Sequence, residues 1–246
     1  HGYVPIYLVK NNLSPAGIAM DVNKGPLEKA QEHIREEKIG GKIATRLGNG
    51  LAPLEPGETD TVIIAGMGGD LICKILKAKP EFLIEGKEFI LQPQSEWFKI
   101  RRLLKEYRYQ IEKEWFLKED GKYYVIIKAE PAWTQPQRLK HQQPSIHEYI
   151  KEISDTQVNQ AVSEKDMESI YEQYGKYLIE TKNPVLKEYL EKEITKKESI
   201  AAELKQSIKE IESEELSGKE RGNIAKRQRR YQEIQKEIRD MRKAIG

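Results

Sequence analysis

Apolar positions in the first 130 residues fall into two alternating patterns, short continuous runs and helical spacing. AGIAMDV (Ala16–Val22), KIATRL (Lys42–Leu47), TVIIAG from Thr61 and EFILQP (Glu88–Pro93) read as strands. IYLV (Ile6–Val9) closes a short helical start, and GPLEKAQEHIREEKI (Gly25–Ile39), DLICKILKA and EWFKIRRLLKEY (Glu96–Tyr107) read as helices. The run from Thr61 has no wet face, which predicts a strand in the middle of a parallel sheet. Gln110–Leu117 and Lys122–Ala129 read as two further strands, joined by a turn that closes on Asp120-Gly121. Repeated βα units followed by a hairpin predict an α/β domain over residues 1–130, with an antiparallel pair at its end.

The pattern then changes. Residues 131–163 are rich in Pro, Gln and Ser and read as a connector, and 164–246 are helical throughout. Leu190, Ile194, Lys197, Ala201, Leu204, Ile208 and Ile211 follow alternating four- and three-residue steps, a heptad seam with one polar member. Ser217-Gly218 interrupts it, and Ile224, Arg227, Tyr231, Ile234, Ile238, Met241 and Ile245 resume the same steps. Two matched seams across a Gly turn predict an antiparallel, coiled-coil-like helical hairpin with arms on the order of 35–45 Å. One continuous helix pairing with another chain is the alternative.

Composition adds little. Charged residues make up 33% of the chain, which suits a polar extension, yet the net charge is only +2, so a basic surface has to come from local clustering. No run reaches the length of a membrane helix, and the expectation is a cytoplasmic protein without a membrane partner. The single cysteine, Cys73, reads as a small buried apolar residue.

In an open parallel sheet, ligands bind beyond the carboxyl ends of the strands. Asp21 there suits a ribose diol, with Val22 against an adenine face, although an Asp at a helix boundary also caps free N–H groups. Gly48-Asn49-Gly50-Leu51 offers backbone N–H groups and an amide to an adenine edge, or is a plain turn. Ala65-Gly66-Met67-Gly68-Gly69 ends a buried strand in bare backbone, which suits the close approach of something flat; tight strand–helix packing also explains one of these glycines. Gln92 and Pro93 follow the next strand at the same edge. Together the four point to a nucleotide-like ligand.

The stretches HGYVPIYLV, AMDVNKGPLEKA, LGNGL, IIAGMGGDLI and ILQPQS, the hairpin around EDGKYY and the helical tail resemble, in order, the bacterial TrmK family of tRNA (adenine-22-N1)-methyltransferases. The resemblance implies a class I S-adenosylmethionine methyltransferase (Rossmann-like) fold with the helical hairpin behind it. It also implies that the chain begins inside the first cofactor motif, so that one strand and most of a loop precede His1. His1, Gly2, Asp21, Val22, Asn49, Gly50, Leu51, Ala65, Gly66, Met67 and Gly68 are then the residues toward the cofactor, S-adenosyl-L-methionine. Asn49 stands where the family usually has Asp; its amide oxygen still accepts a hydrogen bond. Met67, Gly68, Gln92 and Pro93 would shape the site around the target base.

Transfer of a methyl group to adenine N1 needs no general base, because N1 already carries a lone pair, and positioning supplies most of the acceleration. No metal is required. The base has to leave its stack to be reached, and Tyr3 with His1 would stack on it, unless Tyr3 packs in the core. Lys226, Arg229 and Arg230 on the second arm, and Arg101 and Arg102 among the cations of the helix after Pro93, are candidates for tRNA phosphates; a solvated helix face is the alternative for each cluster. Arg227 is ambiguous, since it also sits in the seam. The oligomeric state is open, with a monomer favoured. Two other readings are a small-molecule methyltransferase with a helical oligomerisation arm, and a non-catalytic RNA-binding protein.

Overall fold

The computed structural model describes residues 1–132, 162–212 and 218–246. The connector of residues 131–163 lies almost wholly outside them. The elements run α1 (Tyr3–Lys10), β1 (Gly17–Asp21), α2 (Lys24–Glu36), β2 (Ile43–Leu47), β3 (Thr61–Met67), α3 (Gly69–Ala78), α4 (Pro80–Ile84), β4 (Glu88–Pro93), α5 (Trp97–Glu106), β5 (Tyr109–Glu119) and β6 (Lys122–Pro131). The tail contributes α6 (Val162–Tyr174), α7 (Lys176–Glu180), α8 (Pro184–Glu212) and α9 (Gly218–Ile245).

The strands form two ladders. β1 pairs in parallel with β2, and a four-stranded ladder runs β3-β4-β6-β5, parallel in its first pair and antiparallel in the others. β3 is therefore hydrogen-bonded on one side only, and Ile63 is half-buried between the buried Val62 and Ile64. The expectation of a strand paired on both sides does not hold within these ladders. The turn Asp120-Gly121 has positive φ at both residues, 47° and 75°, the backbone that matches the twist of a two-residue hairpin. The flanking strands extend to Glu119↔Lys122, further than the apolar pattern indicated.

The tail has no separate core. Ile170, Leu178, Leu186, Leu190, Ile194, Ile234 and Ile238 belong to the same buried cluster as Phe89, Leu91, Ile100 and Val125 of the α/β half. Asn183 Oδ1 accepts the N–H groups of Val185 and Leu186, both at 3.0 Å, and Pro184 opens α8, a start that fixes where the long arm begins. Lys197 meets Glu237, Glu198 meets Arg242 and Ser207 meets Arg227, so α8 and α9 run antiparallel.

One buried ion pair docks this tail. Arg101 is 4% exposed and Glu114 2%. The Arg101 Nε donates to Glu114 Oε1 at 2.7 Å, and its Nη1 donates to the carbonyls of Glu172 and Gln173 at 3.0 Å. Those carbonyls end α6, where no helical N–H reaches them. Arg101 is thus no tRNA contact; it faces inward on α5 with Ile100 and Leu104. The rest of that cationic cluster is similarly engaged: Arg102 pairs with Glu172, Lys105 with Glu168, and Lys99 with Asp70 and Glu96.

Gly175 makes the docking possible. Its φ is +92°, and a Cβ there would lie 2.4 Å from Glu114 Oε2 and 2.9 Å from Arg101 Nη2. Gly175→Ala is therefore expected to lower the unfolding free energy by about 2–4 kcal/mol in a urea titration. Glu114→Ala, which strands a buried guanidinium, should cost about 3–5 kcal/mol.

Candidate functional site

The carboxyl ends of β1, β2, β3 and β4 carry the candidate residues. Asp21 closes β1; its backbone carbonyl accepts the Gly48 N–H at 3.0 Å, which ties the β1 and β2 ends together. Its Oδ1 accepts the Asn23 N–H at 2.8 Å, just ahead of α2. One carboxylate oxygen thus closes a turn ahead of the helix without capping its free N–H groups, and Oδ2 has no protein partner among the described residues. Val22 is 61% exposed beside it.

At the end of β2, Gly50 has φ +56° and Asn49 accepts the Ala52 N–H through its backbone carbonyl. A Cβ on Gly50 would lie 2.8 Å from Ile75, so this turn sits directly on α3. Leu51 points inward and is buried with Leu54. Its side chain is core and its backbone lies at the turn, so any contact from this residue would be through its backbone N–H.

The glycines at the end of β3 differ in their local causes. Ala65 pairs with Gln92 and Met67 with Pro93, so Gly66 is the extra residue of a bulge, at φ +80° with open space around it. A Cβ on Gly68 would meet only the Ser95 hydroxyl, at 3.2 Å. On Gly69 it would lie 2.7 Å from the carbonyl oxygens of both Ser95 and Glu96. Gly69 is thus the glycine required by close packing, and Gly66 the one required by backbone conformation.

The loop after β4 braces the first one. Gly66 N–H donates to Gln92 Oε1 at 2.8 Å, Gln94 N–H to the Met67 carbonyl at 2.8 Å, and Gly69 N–H to the Ser95 carbonyl at 3.0 Å. Asp70 N–H donates to Glu96 Oε2 at 3.2 Å, and Lys99 Nζ reaches Asp70 at 2.9 Å and Glu96 at 2.6 Å. Hydrogen bonds from Lys74 and Lys99 pull the Asp70 carboxyl down to about 2, so it stays ionised through ordinary pH. Ser95, Glu96 and Asp70 were not singled out by sequence reasoning; polar residues flanking two neighbouring helix starts are the signal that marks them.

This bracing leaves Ala65, Gly66 and Met67 exposed at the strand end. Pro93 is buried, because the alternation of β4 turns Phe89, Leu91 and Pro93 inward; it supports the loop from below instead of facing a base. Gln92 has its oxygen occupied by Gly66, while its Nε2 is buried without a partner.

His1 and Gly2 lie at the start of α1. The His1 carbonyl is 2.9 Å from His33 Nδ1, and Gly2 at φ +74° packs on Ala30 of α2. Tyr3 is 65% exposed and stacks on His33 with ring centroids 4.9 Å apart, so it is not a core residue. Cys73 is half-buried, and burial pushes its thiol up, away from reactivity. Among the described residues, no group of side chains is arranged to hold a metal, and no helix is long and apolar enough to cross a membrane.

A family model described as tRNA (adenine(22)-N(1))-methyltransferase matches residues 1–173. A Bacillus subtilis (strain 168) protein of that same description is 32% identical over 191 residues, 65% of this chain and 79% of the relative. The crystal structure of the Bacillus subtilis tRNA methyltransferase TrmK superposes with a TM-score of 0.71 at 25% identity, covering 100% of this chain and 88% of that one. A Streptococcus pneumoniae structure, described as a tRNA methyltransferase of the same kind in complex with S-adenosyl-L-methionine, shares the fold with a TM-score of 0.66 at 24% identity, over 100% and 88% of the two chains.

Gly69→Ala is expected to force the two loops apart. It should lower the unfolding free energy by about 2 kcal/mol or more. Gly68→Ala, which asks only a serine hydroxyl to turn, should cost less than half of that in the same denaturant titration.

Proposed function

The chain belongs to the TrmK family of tRNA (adenine(22)-N(1))-methyltransferases, and we propose a division of that activity among its residues. The enzyme is a tRNA methyltransferase, its cofactor is S-adenosyl-L-methionine, and the group transferred goes to N1 of adenine 22. Bound cofactor supplies the methyl group on a sulfonium. On our reading, Asp21 accepts hydrogen bonds from the ribose hydroxyls through its free Oδ2, and Val22 and Asn49 flank the adenine. The backbone at Ala65, Gly66 and Met67 forms the floor beside the methyl group, and the bulge at Gly66 holds that floor clear of side chains. His1 and Gly2 lie against His33 and Ala30 in the second half of α2, away from Asp21 ahead of its start, and take no part in this division. Gln92 acts as a positioning residue, fixing Gly66 through its oxygen. The exposed, doubly braced loop is the observation that carries this reading. Work on tRNA also suits a cytoplasmic location.

Contact with tRNA falls to the far end of the hairpin. Lys226 and Arg229 on α9 are exposed and have no ion-pair partner among the described residues, and the same holds for Lys205 and Lys209 on α8. The contact between Ser207 and Arg227 puts these four cations at one end of the pair of arms. Nearer the sheet, Lys192, Lys197 and Arg242 are all paired with acids. Arg230 pairs with Glu233 and Glu237, so it offers phosphates less charge than its position suggested. Arg102 remains 64% exposed and stays a candidate despite Glu172.

The direct test is transfer of labelled methyl from S-adenosyl-L-methionine to unmodified tRNA, with the product nucleoside identified by mass spectrometry. We expect 1-methyladenosine, lost when adenine 22 is replaced; its absence would overturn the assignment. Asp21→Ala should raise the Kd for S-adenosylhomocysteine roughly tenfold or more, by removing a charge-assisted acceptor. In a gel-shift titration, Lys226→Glu with Arg229→Glu should weaken tRNA binding by about tenfold or more and flatten its salt dependence. Cofactor affinity should be unchanged, and Arg230→Glu alone should do less.

A further inference from the structure

A cleft of about 370 Å³ opens where the β4–α5 loop meets the tail. Its walls include Gln94, Trp97 and Phe98 on one side and Gln173, Tyr174 and Tyr189 on the other. Four aromatic rings and two amides make a lining suited to a flat heterocycle, with faces for stacking and side chains that both donate and accept at its edge. The Trp97 indole N–H is buried without an acceptor. In a protein interior such a donor ordinarily has one. At the rim the Arg102 guanidinium lies over the Phe98 ring at 5.7 Å; it pairs with Glu172 yet stays 64% exposed.

The position of the cleft narrows the choice of ligand. Gln94 and Ser95 are hydrogen-bonded to Met67 and Gly69, so the wall of the cleft and the floor of the methyl-transfer site are one braced unit. A second cleft behind it, also touching Gln173, Tyr174 and Tyr189, is walled by Glu193, Glu237 and Asp240 and would repel a phosphate. That second cleft sets the single cation Lys197 against three acids, whereas the first has one acid, Glu96, already paired with Lys99. A polynucleotide whose target base has left its stack presents the neighbouring base within one nucleotide of this opening.

We propose that this cleft holds the base of a nucleotide adjoining the target adenine, stacked against Phe98 and Trp97, with its phosphate toward Arg102. The tail then reads part of the substrate through Gln173 and Tyr174, in addition to gripping phosphates further out. This rests on the reading of the chain as a tRNA methyltransferase.

The experiment compares intact tRNA with two transcripts carrying an abasic residue immediately 5′ or 3′ of the target adenine. For the wild-type protein, one of the two should show kcat/KM lowered by roughly tenfold or more, chiefly through KM. Phe98→Ala should show a similar loss on intact tRNA and no further loss on that abasic transcript, with its affinity for S-adenosylhomocysteine unchanged. Gln94→Ala provides the same comparison should Phe98→Ala fail to fold. Equal wild-type rates on all three RNAs, or losses that multiply in the variant, would overturn the subsite. Failure of the wild-type protein to methylate intact tRNA would instead remove the reading beneath it.

Discussion

The arrangement of the whole molecule depends on the buried contact between Arg101 and Glu114. Taking two charges out of water costs several kcal/mol each, and a single hydrogen bond between them does not return it. Here the guanidinium also satisfies two carbonyls at the end of α6, so the contact joins three segments far apart in sequence. Burial pushes the Glu114 carboxyl up, against the opposing pull of Arg101, which is the cost expected of a charge in this place. What the pair supplies is specificity. An apolar substitute would bury as well, but it would not select the one position of α6 that offers unpaired carbonyls. Gly175 completes the selection, because only a residue without a Cβ fits against both charged groups.

From that fixed point the rest of the tail follows. Once α6 ends at Gly175, α7 and the Asn183 cap set the start of α8, and Tyr189 arrives against Trp97, Phe116 and Tyr123 with ring centroids 5.0–5.7 Å away. Trp97 opens α5, the helix that bears Arg101 and begins just after the bracing loop. The docking contact, the aromatic junction and the brace on the glycine loop thus share one helix. Displacement of α5 would disturb all three, which couples the attitude of the hairpin to the floor of the methyl-transfer site.

Much of this was legible in the chain, for definite reasons. The βα alternation shows because apolar runs and helical spacing differ in period, and Asp120-Gly121 marks its hairpin because few other pairs tolerate two positive φ values. The glycine loop was visible as a close approach, but Gly66 and Gly69 could not be told apart. One answers a bulge and the other answers carbonyls contributed by a loop 26 residues away. The cations of α5 misled for a related reason. A sequence shows charge, and the partners Glu168 and Glu172 lie more than 60 residues on, beyond a connector with no pattern of its own. Pro93 was placed correctly at the end of β4, yet its side chain turns inward. Parity at a strand terminus is decided by the neighbouring layer, and the local pattern is too short to fix it.

Cations along the tail are of two kinds. Lys192, Lys197 and Arg242 are held by acids on the same or the facing arm, whereas the clustered Lys205, Lys209, Lys226 and Arg229 at the far end are not, among the described residues. Exposed Lys236, Arg239 and Lys243 nearer the sheet likewise have no ion-pair partner among those residues, but they are not gathered at one place. A near-neutral net charge of +2 conceals the cluster at the tip. Paired cations contribute little field beyond their partners, and salt screens what remains within about 8–10 Å. Those on α8 lie about 25–30 Å along the helix from Tyr189, at the rise of an α-helix. On the proposed reading, a polyanion is then held at two separated places, by phosphates at the tip and by bases at the junction. Two grips so far apart restrict rotation as well as position. Because methyl transfer to a ring nitrogen asks chiefly for alignment, a long lever fixed at its base by Arg101 is a direct physical means of providing it.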